Sequence, residues 1–579
     1  MRTGAVRRAG GVLGILVVLT GCTGVPSSSR PEVIASLGAV QPVVPAAVTP
    51  QPDAEPRTII AGFLTNNATS DVHHLAARAF LTSEATNRWS DTTVTVVDNP
   101  QIGNPDKQNQ VTVTGRIIGT INGSGIYTPS LQGDGRGGGG APVSLTFGLK
   151  KDDGQWRIDT LQNGLFISDQ QFQDFYQQRT VYFYDQAEEH LVPDPRFSAL
   201  QDPTLLATWL MTQLAEGTRP ELQAATNTEL PAQTDPRRVT ASLGPVIKIE
   251  IPGASQLALG TRDRLAAQVA LTLEPVASGT PISITDGGRA VTIPRSGATF
   301  TASIFSDAVA PANQVPPLYY INDNGLVIGP DGKALPGPLG NGQYHLNAVA
   351  LASMNNSATL LAAGTAGSAD AQTLYVGTDG APLRRTAVTG ALSRPAWVPN
   401  MAEVWIGAGK TLYRVASNGA VSAVAITTTS GKLSGQIIAV RFSPEGARIA
   451  VVLQTADGAG QIWLGSVVRA TNAVRVSNMQ QISPQGVTIT DVAWNDELKL
   501  FAVGRDIGGL PNVYELQSDG SLWTPRGIPN LPGPPDSITV AENVVASVSV
   551  GNTVWVQRGG SWVSPTGGST HGTNPVYLE

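Results

Sequence analysis

A single cysteine, Cys22, stands in 579 residues. That excludes an intrachain disulfide and any zinc site built on several thiolates. Histidine is almost as scarce: five in the whole chain, none at metal-ligand spacing. Charged residues make up only 14%, the net charge is −6, and no basic stripe occurs, so nucleic-acid binding has no electrostatic footprint. No apolar run reaches the ~20 residues that a membrane-spanning helix needs. No Gly-x-Ser-x-Gly elbow marks a serine nucleophile. Gly407-Ala408-Gly409-Lys410-Thr411 ends like a phosphate-binding loop, but Val404 occupies the place of the first glycine. Leu412-Tyr413-Arg414-Val415 then reads as a strand where that loop needs a helix, so a hairpin turn is expected. The glycine-rich run from Gly133 to Gly140 leads into Ala141-Pro142 and a strand, and reads as a surface loop. Together these absences favour a binding protein over an enzyme, with no catalytic residues, cofactor or metal expected.

What the chain does contain begins at its amino end. Arg2, Arg7 and Arg8 precede an apolar run from Ala9 to Leu19, about eleven residues long and too short to span a bilayer. Leu19-Thr20-Gly21-Cys22 follows. This is a secretory signal peptide, residues 1–21, ending in a lipobox. Cys22 is the expected lipidation site, carrying an S-diacylglyceryl group and an N-acyl chain such as palmitate. Two or three acyl chains anchor stably, where one is marginal. The mature body is therefore expected on the outer face of the cytoplasmic membrane. Residues 22–55 form a tether punctuated by Pro26, Pro31, Pro42, Pro45, Pro50 and Pro52, with Ser27-Ser28-Ser29 among them. Proline favours extended chain, so the tether lifts the body clear of the lipid.

Residues 56–172 read as a small α+β domain. Thr58–Leu64 looks helical, and a second helix is expected from Asp71 to Trp89. Strands follow at Thr92–Val97, Val111–Ile118, Val143–Leu149 and Trp156–Asp159. His73 and His74 are adjacent, and neighbours on a helix diverge by about 100°, so packing or surface roles are expected. Residues 178–310 form a second α+β unit. Val181–Tyr184 is a strand, and Asp202-Pro203 opens a helix with Leu206, Leu210 and Leu214 on one face and Gly217 at its end. Leu230-Pro231 and Val246–Ile251 return to strand. A second helix is expected from a Thr261 cap to Pro275, then a strand at Pro281–Thr285.

Residues 318–579 repeat. Ala350, Trp397, Phe442, Trp494 and Thr539 take like positions in short strands 45 to 52 residues apart, each followed by further strands and turn pairs such as Asn418-Gly419 and Asp519-Gly520. That period is the signature of a β-propeller, with Leu318–Ile321 and Leu326–Ile328 starting a further blade. Six blades are expected.

Two helices before a curved sheet carrying Trp156-Arg157-Ile158-Asp159 resemble the NTF2-like fold. Leu214–Gly217, Lys248–Ile251 and Ala267–Leu273 look like the GerMN domain. The whole order resembles the LpqB lipoproteins of actinobacteria, most closely at Cys22 with Val25–Ser29, His74–Thr82, Asn163–Phe166 and Val192-Pro193-Asp194-Pro195-Arg196. The resemblance implies a non-enzymatic accessory of an MtrA–MtrB two-component system, modulating the sensor kinase and cell-wall and division homeostasis. The implied partner is the extracytoplasmic domain of an MtrB-like sensor histidine kinase. The alternative is a cell-wall ligand binder or hydrolase using the propeller channel or the NTF2-like pocket.

Overall fold

The computed structural model describes residues 47–70, 72–131, 140–309, 316–354, 357–429, 433–470, 473–565 and 570–579. The signal peptide, Cys22, most of the tether, Asp71 and nearly all of the glycine-rich run lie outside them.

The first domain opens with a helix, Pro56–Asn66, whose proline sits where no intrahelical N–H is needed. Ile59, Ile60 and Phe63 are its buried face. The strands lie in the order Gln155–Thr160, Ala141–Asp152, Gln110–Ile121, Val94–Ile102 and Leu165–Ser168. All pairs are antiparallel except the last. Aromatic rings fill the core against which the sheet packs. Phe63 meets Trp89 at 5.4 Å and Phe147 at 6.0 Å, and Phe172 meets Tyr127 at 5.6 Å. The expected helix from Asp71 to Trp89 is instead two short helices, Leu75–Arg78 and Ser83–Arg88. Between them Phe80 and Thr82 bond the backbone of Ile158, and the Thr82 side chain caps the second helix. Sheet pairing thus overrides helical continuity.

The second domain has two helices, Pro203–Glu216 and Leu259–Ala277, packed on each other. Asp202 caps the first by accepting from Thr204 and Leu205 N–H at 2.9 Å, and Gly217 ends it at φ 94°. The second begins before Thr261 and runs through Pro275, stopped by Ser278 in the left-handed region. Proline in the final turn therefore does not end it. One sheet runs Thr240–Ser242, Ile247–Glu250, Ile282–Asp286, Arg289–Ala290; a second places Gln177–Asp185 between Leu191–Ser198 and Thr226–Asn227. Leu230-Pro231 is not strand.

The third domain is a six-bladed propeller. Five blades have four strands each, beginning at Leu346, Ala396, Gln436, Thr488 and Ser537. The sixth is composite. Leu318–Ile321 pairs with Val327–Ile328 on one side and with the last strand, Thr573–Tyr577, on the other. That closing strand is innermost and touches the innermost strands of both neighbouring blades, so the ring closes. Ala350, Trp397, Phe442, Trp494 and Thr539 all lie on innermost strands, as their period predicts. The two tryptophans show why the position recurs: Trp397 Nε1 donates to Ala350 O at 3.1 Å, and Trp494 Nε1 donates to Arg441 O at 3.3 Å, each stitching one blade to the next. Gly407–Thr411 is a hairpin turn, with Ala408 opposite Thr411.

Candidate functional site

The described residues belong to one compact unit, and within it every residue of the strand Leu191–Ser198 is buried. It holds two prolines and two charges, an unusual content for buried strand. Asp194 and Arg196 pair at 2.7 Å, and Asp194 also accepts from Arg219 N–H at 2.8 Å. Arg196 reaches Ser124 O at 3.1 Å and Arg219 reaches Tyr127 O at 3.1 Å, tying in the first domain. From the propeller, Arg448 donates to Pro193 O at 3.3 Å, while bonding Glu445 at 2.8 Å and lying over the Trp494 ring at 5.4 Å. Val192, Leu222 and Ala447 form a small apolar cluster beside it. All three domains therefore meet on Val192–Arg196. Nearby, Arg448 also donates to the Glu497 carbonyl at 2.5 Å. Burial pushes the Glu497 carboxyl up to about 7, and Glu445 adds to the effect.

The propeller residues at this joint lie in turns after first strands (443–447 and Glu497) and third strands (518–520). Because neighbouring strands alternate in direction, these turns share one face of the ring. The channel mouth opens on the other face. It is a cavity of about 370 Å³ formed where first strands begin and where second strands turn into third, at Asn347, Gln372, Arg394, Asp491 and Gly551 among others. Arg394 crosses it to Asp491 at 2.6 Å and to Pro575 O at 2.8 Å. Asp491 is saturated: one oxygen takes Arg394 and Ile538 N–H, the other Arg441 and Val492 N–H. A carboxylate so held is structural and has no lone pair ready for general-base work. Deeper, Glu579 accepts from Trp397 N–H at 2.5 Å. Burial pushes its carboxyl up to about 7, against the pull of Arg441 and Arg394.

Of the residues singled out in the sequence, Cys22 lies outside the described region. His73 and His74 are not helical neighbours; both have left-handed backbones, at φ 57° and 49°. His74 Nδ1 pairs with Asp91 at 3.0 Å beside Arg78, which is a packing role. Among the described residues no group of three or more His, Cys, Asp or Glu could hold a metal, and no helix is long and apolar enough to cross a membrane. The joint and the Arg394–Asp491 pair escape sequence reading because their charges are brought together from distant strands. Only Val192–Arg196 stands out in the sequence, as one of the stretches that carry the family resemblance.

Residues 49–173 match the family model for the N-terminal domain of lipoprotein LpqB, residues 180–292 that of the sporulation and spore germination (Germane) domain, and residues 326–577 the LpqB β-propeller domain. The chain belongs to the LpqB lipoprotein family. It is 28% identical over 491 residues to lipoprotein LpqB of Mycolicibacterium smegmatis, covering 79% of each chain. To the LpqB of Streptomyces avermitilis it is 27% identical, covering 100% of this chain and 98% of that one. Among solved structures it is similar to TolB from Acinetobacter baumannii, at a TM-score of 0.31 and 13% identity over 47% of this chain and 69% of that one. LpqB architecture is thus an N-terminal α+β domain, a Germane domain and an all-β propeller, and the joint described above is where the three meet.

Proposed function

We propose that this chain is a lipid-anchored, non-enzymatic accessory of a two-component system. Acyl chains on Cys22 hold it to the outer face of the cytoplasmic membrane. The three-domain body docks on the extracytoplasmic domain of an MtrB-like sensor kinase and biases cell-wall and division control. The observation that supports this reading is the buried joint at Val192–Arg196. Burying paired charges contributes little net stability but specifies one arrangement, here a fixed body. A fixed body can prefer one kinase state over another, and a ligand shifts an equilibrium only through such a preference.

The test is calorimetry of the full chain in detergent against the purified sensor domain, with Cys22→Ala alongside. Saturable binding by both forms is expected in solution. In cells, loss of the acyl chains removes the high local concentration and with it the effect on signalling. No heat from either form at high micromolar concentration overturns the proposal.

A further inference from the structure

The channel mouth carries a second inference, independent of kinase docking. It faces away from the joint, so neither the N-terminal nor the Germane domain covers it where they meet the propeller. Its volume, about 370 Å³, falls at the small end of the ~300–1,000 Å³ range of small-molecule pockets. Three carboxamides on its wall are each held by one end. Gln372 Oε1 accepts from Leu392 N–H at 3.1 Å, leaving its NH2 as donor. Asn347 Nδ2 donates to Gly367 O at 2.5 Å, and Asn574 Nδ2 donates to Asn347 O at 2.6 Å, leaving both carbonyls as acceptors. Asp536 gives one carboxylate oxygen to Gly551 N–H at 2.8 Å and is otherwise exposed. Two more wall atoms, Thr365 Oγ1 and Arg394 Nε, are buried without a hydrogen-bond partner. Buried polar groups left so are commonly satisfied by ordered water.

The charge balance narrows the guest. Arg394 and Arg441 share Asp491, and Asp536 on the wall supplies the second carboxylate that balances the two guanidiniums. Asp536 would repel an anion. A mixed set of fixed donors and acceptors without net positive charge suits groups that both donate and accept, which is what hydroxyls do. We propose that the channel mouth binds a neutral, hydroxyl-rich ligand the size of one or two saccharide rings.

The test uses full-length protein in detergent and three probes, cellobiose, chitobiose and glucose 6-phosphate, read by saturation-transfer NMR and calorimetry. At least one disaccharide is expected to bind, and the phosphate to bind no better. Gln372→Ala and Asn347→Ala each remove one fixed hydrogen bond and should weaken that binding by about tenfold. Thr365→Val removes an unpartnered hydroxyl and keeps the shape, so it should fold with thermal stability at least as high as wild type and still bind the disaccharide more weakly. Silence from both disaccharides at ~10 mM, a concentration far above useful affinity, overturns the proposal. So does binding that survives both carboxamide variants, or tighter binding of glucose 6-phosphate, which would make Arg394 an anion site.

Discussion

Glu497 shows how a single carboxyl can make the joint pH-dependent. Burial, helped by Glu445, Glu542 and Asp496 and opposed by its own backbone N–H, raises it to about 7. An ordinary glutamate carboxyl stands at 4.5. Between those values the folded protein keeps a proton that the unfolded chain releases. Stability must therefore fall as pH rises from about 4.5 to about 7, and stay lowered above that. Glu497→Gln carries no such proton. Its thermal midpoint should exceed that of the wild type at pH 8 and match it near pH 4.5. Since the group is partly exposed, the gain is on the order of 1 kcal/mol. Glu579 titrates in the same window, so the wild-type profile alone is ambiguous and the difference between the two proteins is the diagnostic quantity. Equal midpoints at both pH values would mean that solvent reaches the carboxyl freely.

At the scale of elements, the closing strand Thr573–Tyr577 holds the ring together. It pairs Leu318 with Tyr577 and Tyr319 with Val576, and the Tyr577 hydroxyl bonds Val545 O at 2.8 Å. Deleting residues 573–579 leaves Leu318–Ile321 without its inner partner and exposes the inner edges of two blades. Rapid cleavage by a protease of low specificity is expected within the propeller, while fragments of the first two domains persist. Equal resistance of the deleted and full chains would show that the remaining blades close without it. This strand also marks where sequence reading stops. The inner strands were legible because a buried aromatic or small residue recurs at one position per blade. The closing strand was not, since its pairing joins residues at opposite ends of the domain and leaves no local pattern. Asp71–Trp89 failed for a related reason: Leu75, Ala79 and Phe80 have helical spacing, yet the Ile158 backbone claims Phe80 and Thr82. Leu191–Ser198 was missed as a strand because two prolines argue against one, and it tolerates them at the outer edge of its small sheet.

At the scale of the whole molecule, one arginine bears on how the domains are held. Arg448 meets Pro193 O from the Germane domain and, within the propeller, Glu445, Ser518 and the Glu497 carbonyl. Asn478 adds a bond to Pro220 O at 3.1 Å, and Arg469 N–H one to Gln186 at 2.7 Å, both more exposed than Arg448. Arg448→Met keeps the apolar bulk over Trp494 but removes every donor and leaves Glu445, itself buried, without its cation. Breaking a buried pair from one side costs about 3–5 kcal/mol, far more than the exposed contacts beside it are worth. The propeller's own ring does not depend on the Pro193 bond, so the loss falls partly on the joint. Small-angle X-ray scattering should then show a larger radius of gyration for Arg448→Met, with the propeller still folded by circular dichroism. If docking on a sensor domain requires one fixed body, the same variant binds it more weakly although its exposed surface is almost unchanged. A variant that scatters like the wild type would place the rigidity of the joint elsewhere, in the Ser466–Glu221, Asn478–Pro220 and Arg469–Gln186 bonds that also tie the propeller to the second domain.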